Sequence, residues 1–187
     1  MPDIRRYLVV AIAALTGIAC ANPQTDKTTT AHPGDHETAE AVNSADEHAE
    51  PRPFDADRNA MADVETALLQ SRATGRNALL VLGANWCHDS RGIAAKFQQP
   101  QLQQIIADDY HLVWVDVGKR DRNIDVAQRF GVDELIGTPT ILIVSPEQQL
   151  LNRESVHDWR TAHSKSMDEA ISYFRGYSQT KTPQGQN

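Results

Sequence analysis

The sequence predicts an α/β domain with a central mixed β-sheet flanked by helices. Short apolar runs, typical of buried strands, alternate along the chain with segments whose apolar residues recur at helical spacing. The last two strand-like runs follow each other without a helix between them, which indicates an antiparallel pair within the sheet. The chain has 187 residues, enough for one such domain with further segments at its ends.

The first half of the domain is predicted to contain two helices and a strand. Asp57 or Asn59 can cap the first helix, which ends at Thr74-Gly75. The run over 78–83 is apolar and short enough for a buried strand. A second helix follows and is expected to break near Pro100, because proline lacks the amide proton that a helix interior needs. The apolar positions at helical spacing are Met61, Val64, Leu68, Leu69, Phe97, Leu102, Ile105 and Ile106.

The second half is predicted to supply the remaining strands. Buried strands are expected over 111–117 and 140–144, with a short helix over 125–130 between them. After a turn, residues 150–154 are expected to form the strand that partners 140–144. A helix over 158–174 closes the domain. Its candidate core positions are Trp159, Ala162, Met167, Ala170, Ile171 and Phe174, and Trp114 is a further core candidate.

Residues 1–20 read as a targeting segment. Two arginines precede an apolar run over 8–19 that is too short for a comfortable membrane span. Small residues then lead to Cys20, which resembles the bacterial lipoprotein signal, although Gly17 stands where leucine is usual. This resemblance implies lipidation of Cys20 and, with Ala21 following it, a periplasm-facing anchor in the cell envelope of a Gram-negative bacterium, at the outer membrane. An ordinary cleaved signal peptide is the alternative.

Residues 21–53 have the composition of a disordered acidic linker, with almost no large apolar side chains. The histidines at 32, 36 and 48 suggest a metal site, but their spacing fits no closed site and solvated histidines are the alternative. Residues 178–187 are predicted to be a flexible tail. We find no zinc motif and predict no metal. The formal charge of −7 argues against a nucleic-acid partner.

The chemistry is predicted to centre on Cys87. It follows Trp86 directly after the first strand, and a helix begins close behind it. The amide groups and the dipole of a helix N-terminus favour a thiolate there. His88, if protonated, also favours the thiolate, whereas Asp89 opposes it by like charge.

The strand, Trp86-Cys87, the following helix and the later Thr138-Pro139 before a strand resemble the thioredoxin superfamily. The resemblance covers roughly residues 61–174 and implies a thioredoxin-like domain over 54–177. In this family a cis-proline before a strand faces the active cysteine, and Pro139 matches it. We predict no cofactor. Ser90 stands where the family usually has its second cysteine.

The sequence departs from the family in two ways that limit turnover. If lipid occupies Cys20, no intramolecular dithiol remains, so only single-cysteine chemistry through a mixed disulfide is possible. Ser90 can donate a hydrogen bond to a Cys87 thiolate but cannot resolve a mixed disulfide. Val81 occupies the position of the buried acid that the family usually has six residues before the cysteine.

Two functions of different class follow. The first is a membrane-tethered thiol–disulfide oxidoreductase or isomerase with Cys87, Ser90 and His88 as candidate catalytic residues. Its clients would be envelope proteins or small thiols, held in a groove formed by Trp86, Thr138 and Pro139. The second is a non-catalytic module that binds envelope proteins at the same groove. Asp116 is expected to be a solvated residue at a strand end rather than an acid that assists the site.

Overall fold

Strand β1 (Asn77–Gly83) forms the centre of a three-stranded sheet. It pairs in parallel with β2 (Tyr110–Asp116) and antiparallel with β3 (Thr140–Val144). Every residue of β1 is buried, which explains the apolar run over 78–82 that follows the polar Asn77. The mixed sheet with helices around it confirms the predicted fold class.

The structure, a computed structural model, describes residues 50–178. The predicted signal peptide over 1–20 lies outside the described residues. So do the predicted linker up to residue 49 and the predicted tail after residue 178. Within residues 50–178, no helix has both the length and the apolar character needed to cross a membrane.

Five α-helices surround the sheet within the part of the chain that the structure describes. The Asn59 side chain caps the first of them by accepting a hydrogen bond from the Ala62 amide at 3.1 Å. Pro100 is the first residue of a new helix, where its missing amide proton costs nothing, so the predicted break is confirmed. The helices are α1 (Ala60–Thr74), α2 (His88–Phe97), α3 (Pro100–Asp109), α4 (Ile124–Gln128) and α5 (Met167–Gly176).

The alternating side chains of β1 divide the core between the two faces of the sheet. Leu80 and Leu82 pack with residues of α1 and α4, whereas Leu79 and Val81 pack with residues of α2, α3 and α5. The prediction that Leu69 belongs to the core is wrong, because this residue is 64% exposed. The predicted core residues that are buried include Val64, Leu68, Phe97, Leu102, Ile105, Ile106, Trp159, Ala162, Ala170 and Phe174.

The segment after β3 differs from the prediction. No strand forms over 150–154; Leu150 makes a single bridge to Val144, and a 3₁₀ helix follows at Arg153–Ser155. The side chain of Asn152 takes the place of a strand partner, because its amide accepts from the Ile143 N–H and donates to the Ile141 carbonyl.

The prediction of one continuous helix over 158–174 is also wrong, because two separate helices form there. A 3₁₀ helix covers Asp158–Ser164, and α5 begins separately at Met167. Ser166 starts α5 with a capping box, in which its side chain accepts from the Glu169 amide and the Glu169 carboxylate accepts from the Ser166 amide.

Candidate functional site

Cys87 lies just beyond the carboxyl end of β1 and is the residue immediately before α2, without a capping hydrogen bond from its side chain. Its amide donates to the Ala84 carbonyl at 3.0 Å, which closes a tight turn between strand and helix. The side chain is 9% exposed, and the thiol donates to the Thr138 carbonyl at 3.3 Å. The first amides of a helix have no partner within it, so a thiolate at this place would meet hydrogen-bond donors.

Thr138 and Pro139 are joined by a cis peptide bond immediately before β3. Because β3 runs antiparallel to β1, its first residues lie beside the end of β1, where the chain turns towards Cys87. The predicted proximity of Cys87 to Thr138-Pro139 is therefore confirmed by the hydrogen bond between the Cys87 thiol and the Thr138 carbonyl.

Ser90 is fully buried in the first turn of α2. Its hydroxyl accepts a hydrogen bond from the Ala84 amide at 3.4 Å. No hydrogen bond joins Ser90 to Cys87 in the described part of the chain, where Cys87 is a free cysteine. The expected hydrogen bond from Ser90 to a Cys87 thiolate remains a prediction about that other ionisation state.

His88 and Asp89 both contact the 3₁₀ helix at Asp158–Ser164. The imidazole rings of His88 and His163 lie 3.7 Å apart between centroids. The Asp89 carboxylate accepts from the His163 amide at 2.9 Å. The Asp89 carboxylate, whose negative charge we expected to oppose ionisation of Cys87, is therefore bound to a hydrogen-bond donor.

Trp86 and Val81 occupy very different environments. The Trp86 side chain is 58% exposed, and its indole N–H donates to the Gly118 carbonyl at 2.8 Å. An exposed indole anchored at one end is a suitable contact for a peptide. Val81 is fully buried and packs in the apolar core, so the structure places no carboxyl group at that position of β1.

The residues entering the domain, Glu50 to Phe54, contact the turn before Cys87. The Asn85 side chain donates to the Phe54 carbonyl at 2.7 Å and accepts from the Phe54 amide at 3.1 Å. Arg91 pairs with the Glu50 carboxylate at 2.7 Å and also donates to the Asn85 carbonyl. The predicted linker over 21–53 thus ends in residues that lie on the domain beside the site. Sequence reasoning missed these contacts because nothing in the polar composition of the segment reports them.

The hydrogen bond from Arg91 holds the pKa of Glu50 below its ordinary value. Burial acts in the opposite direction, and the charges of Arg91, His88 and His163 add to the lowering. Glu50 is therefore an anion at neutral pH and faces a group of potential cations beside Cys87.

Asp116 is not solvated, and that expectation is wrong. It is the last residue of β2, is only 6% exposed and forms an ion pair with Arg122 at 2.7 Å. Its backbone carbonyl accepts from the Asn123 side chain. Asp116 lies opposite Gly83 in the parallel pair and lines a cleft with Trp86, so it belongs to the wall beside the site.

Comparison with known proteins agrees with this architecture. A family model described as thioredoxin-like matches residues 59–146, which include Cys87 and Pro139. A search of curated proteins returns no match.

Solved structures that resemble the chain include two bacterial proteins. A disulphide isomerase from Xylella fastidiosa Temecula1 is 27% identical, with a TM-score of 0.63, and the alignment covers 68% of this chain and 98% of that one. The C-terminal domain of Neisseria meningitidis DsbD in the reduced form is 18% identical, with a TM-score of 0.45 and coverage of 62% and 95%. The family match, the sheet topology and the Cys87–Thr138 geometry lead to one conclusion: the described part of the chain contains a thioredoxin-like domain.

Proposed function

We propose that this protein carries out thiol–disulfide exchange through a single cysteine, Cys87. The observation that carries the proposal is the hydrogen bond between the Cys87 thiol, at the N-terminus of α2, and the carbonyl of Thr138. This contact brings together the one described cysteine and the Thr138-Pro139 turn. The similar Xylella protein is described as a disulphide isomerase, which supports the same class of chemistry.

The chemistry uses one thiol at a time. The Cys87 thiol loses its proton to water, and the thiolate attacks one sulfur of a client disulfide. A new bond forms between Cys87 and that sulfur as the client disulfide breaks, and the other client sulfur leaves as a thiolate. A thiolate from the client or from a small thiol then attacks the mixed disulfide and releases Cys87. Each exchange leaves the number of disulfides unchanged.

The client is proposed to lie in the groove formed by Trp86, Thr138 and Pro139. The Cys87 thiol donates a hydrogen bond to the Thr138 carbonyl on one side of this groove. The exposed indole of Trp86 offers apolar contact area to a peptide. Ser90 supplies a buried hydroxyl where a second thiol would otherwise resolve the mixed disulfide. Release therefore depends on an outside thiol.

We further propose that the domain is tethered to the outer membrane of a Gram-negative cell, facing the periplasm. Its support is the sequence alone: an apolar segment over 8–19 that ends at Cys20, and the polar stretch after it. Mass spectrometry of the mature N-terminus tests the tether. A lipid-modified Cys20 at the N-terminus is the expected result, and an unmodified peptide that begins before or well after Cys20 would contradict it.

A non-catalytic module is the second candidate function. The observation that favours it is the burial of Cys87, together with a thiol proton already bonded to the Thr138 carbonyl. A thiolate has no proton for that carbonyl, so ionisation gives up this hydrogen bond. A module of this kind would bind envelope proteins at the groove without forming a disulfide.

Capture of partners by wild type and by Cys87→Ser separates the two functions. We expect wild type to retain partners through bonds that reductant breaks, and Cys87→Ser to lose them. The same partners bound equally by both forms, with no reducible bond, would instead support the binding module. Ser71→Ala, which changes a buried serine on α1, is a control for handling and expression.

A further inference from the structure

Three potential metal ligands from separate parts of the chain meet beside the start of α2. Glu50 comes from the entering residues, His88 is the first residue of α2, and His163 lies in the 3₁₀ helix at Asp158–Ser164. Ligand atoms of all three lie within 4.8 Å of one another. We propose that Glu50, His88 and His163 bind a divalent transition-metal ion, Zn²⁺ or Cu²⁺.

The spacing suits a single ion. The Glu50 Oε1 and His88 Nδ1 atoms are 3.9 Å apart. Ligands about 2.1 Å from one zinc ion lie at most about 4.2 Å from each other, so this pair already fits. The imidazole rings of His88 and His163 are in contact, with centroids 3.7 Å apart, and rotation of the exposed ring of His163 brings its nitrogen to the same ion.

Side chains of α2 hold two of the three ligands in place. Arg91 donates to the second carboxylate oxygen of Glu50 at 2.7 Å, which leaves Oε1 to face His88. The Asp89 carboxylate holds the His163 amide at 2.9 Å. Such contacts from neighbouring residues fix the orientation of metal ligands.

Gly92 permits the approach of His163 to α2. A Cβ atom at Gly92 would lie 3.2 Å from the His163 Cα atom and 3.3 Å from its nitrogen. Any larger residue at this position would push the His163 backbone away from His88. The glycine therefore places the two histidines within reach of one ion.

The donor set selects the kind of metal. Two imidazole nitrogens and one carboxylate oxygen suit Zn²⁺ and Cu²⁺, whereas Mg²⁺ and Ca²⁺ prefer oxygen ligands alone. Three protein ligands leave a position for water or for another ligand. The histidines are exposed, so an ion can enter from solvent.

A bound ion would fasten the entering residues to α2 next to Cys87. No metal was predicted from the sequence, where the three ligands are far apart and form no motif. The site does not depend on thiol chemistry, since the Cys87 thiol faces the Thr138 carbonyl.

The test is calorimetric titration of the full chain with Zn²⁺, followed by electron paramagnetic resonance of the Cu²⁺ form. We expect one ion per chain in both wild type and Cys87→Ser, and nitrogen hyperfine splitting from two imidazoles. His163→Ala and Glu50→Gln should each weaken binding at least about tenfold. Gly92→Ala should weaken it without removing a ligand.

Two controls decide the source of any binding. His157→Ala removes another histidine of the same region, one that contacts Thr140 instead, and should leave the affinity unchanged. Replacing His32, His36 and His48 together by alanine should also leave it unchanged. Absence of binding, binding lost with Cys87→Ser or with the triple replacement, or affinity unaffected by His163→Ala would each overturn the proposal. None of these results bears on whether Cys87 exchanges disulfides.

Discussion

The Cys87 thiol and the Thr138 carbonyl lie 3.3 Å apart and form a hydrogen bond across two separate loops. One loop leaves β1 and enters α2, and the other enters β3. The bond fixes the thiol against the turn that contains Pro139, so a peptide that reaches the sulfur must also contact that turn. Single-cysteine chemistry and peptide binding in the groove would therefore involve the same surface of the protein.

Replacing Ser90 with cysteine should supply the missing resolving thiol. Position 90 is one helical turn from Cys87, and its side chain packs against Gly83, where a Cβ atom would lie 2.7 Å from the Ser90 hydroxyl. We expect Ser90→Cys to form an internal disulfide with Cys87 and to reduce insulin measurably, whereas wild type does so very little. Val81 should keep the gain modest, because no buried acid assists proton transfer.

The matched control is Ser145→Cys, which adds a buried thiol at the other end of β3. It should form no internal disulfide and gain no reductase activity. An internal disulfide in Ser90→Cys without any gain over wild type would mean that the site itself is incompetent, and the binding module would become the better account.

Trp86→Ala should affect clients more than stability. The indole is mostly exposed and makes one hydrogen bond, to Gly118, so its loss should lower the free energy of unfolding by less than about 1 kcal/mol. Mixed-disulfide formation with a disulfide-containing peptide should slow at least about fivefold, since aromatic anchors dominate peptide contacts. The reaction with glutathione disulfide should change little. Leu69→Ala, an exposed residue on α1, is the control, and an equal effect of both replacements on the peptide reaction would refute a role for Trp86.

Much of this architecture was predictable, because local patterns and the superfamily resemblance agree. The apolar run of β1, the helix after Cys87 and the strand after Pro139 all form where the sequence places them. The errors concentrate after β3, where the buried side chain of Asn152 replaces a strand partner, a role that no periodicity reports. The break before α5 did leave a signal, the Ser166-x-x-Glu169 capping box.

The candidate site was only partly predictable for a related reason. Cys87, Thr138 and Pro139 belong to a known pattern, so their meeting was expected. Glu50 and His163 belong to no pattern and reach α2 only through tertiary contacts. Asp116 ends an apolar strand and was expected in solvent, but Arg122 covers it.

Asn152→Ala should be strongly destabilising. The buried amide bonds the Ile143 N–H, the Ile141 carbonyl and the Tyr173 hydroxyl. Its removal takes this partner from the two backbone groups, whereas the Tyr173 hydroxyl keeps its hydrogen bond with Ser155. We expect a loss of about 2–4 kcal/mol in the free energy of unfolding, measured by urea denaturation. Leu151→Ala, an exposed neighbour, should cost far less, and comparable losses in the two variants would show that the Asn152 contacts do not support β3.

Tyr110→Phe should change the alkaline limit of stability. Burial raises the pKa of Tyr110, whose hydroxyl donates to the Phe174 carbonyl at 2.5 Å. Above about pH 10 the unfolded chain loses this phenolic proton while the folded chain keeps it, so stability falls as pH rises. The contribution is complete below that pH. Tyr110→Phe should cost about 1 kcal/mol at neutral pH and show a weaker decline between about pH 9.5 and 11.

Urea midpoints measured across that pH range provide the comparison. Burial also raises the pKa of Tyr173. Because Tyr173 is present in both proteins, its contribution to the pH dependence cancels in the comparison. Identical pH dependence in wild type and Tyr110→Phe would contradict the assignment of the alkaline loss to Tyr110.

The most direct test of the central claim compares how fast Cys87 reacts with glutathione disulfide in the folded protein and in the unfolded chain. The measurement uses the full chain with Cys20→Ser, so that Cys87 is its one thiol, with a chelator present and the adduct followed by intact mass. If the helix N-terminus activates Cys87, the folded protein should react at least about tenfold faster than the same chain in urea, and added reduced glutathione should release the adduct. A folded protein that reacts no faster than the unfolded chain would contradict exchange chemistry at Cys87.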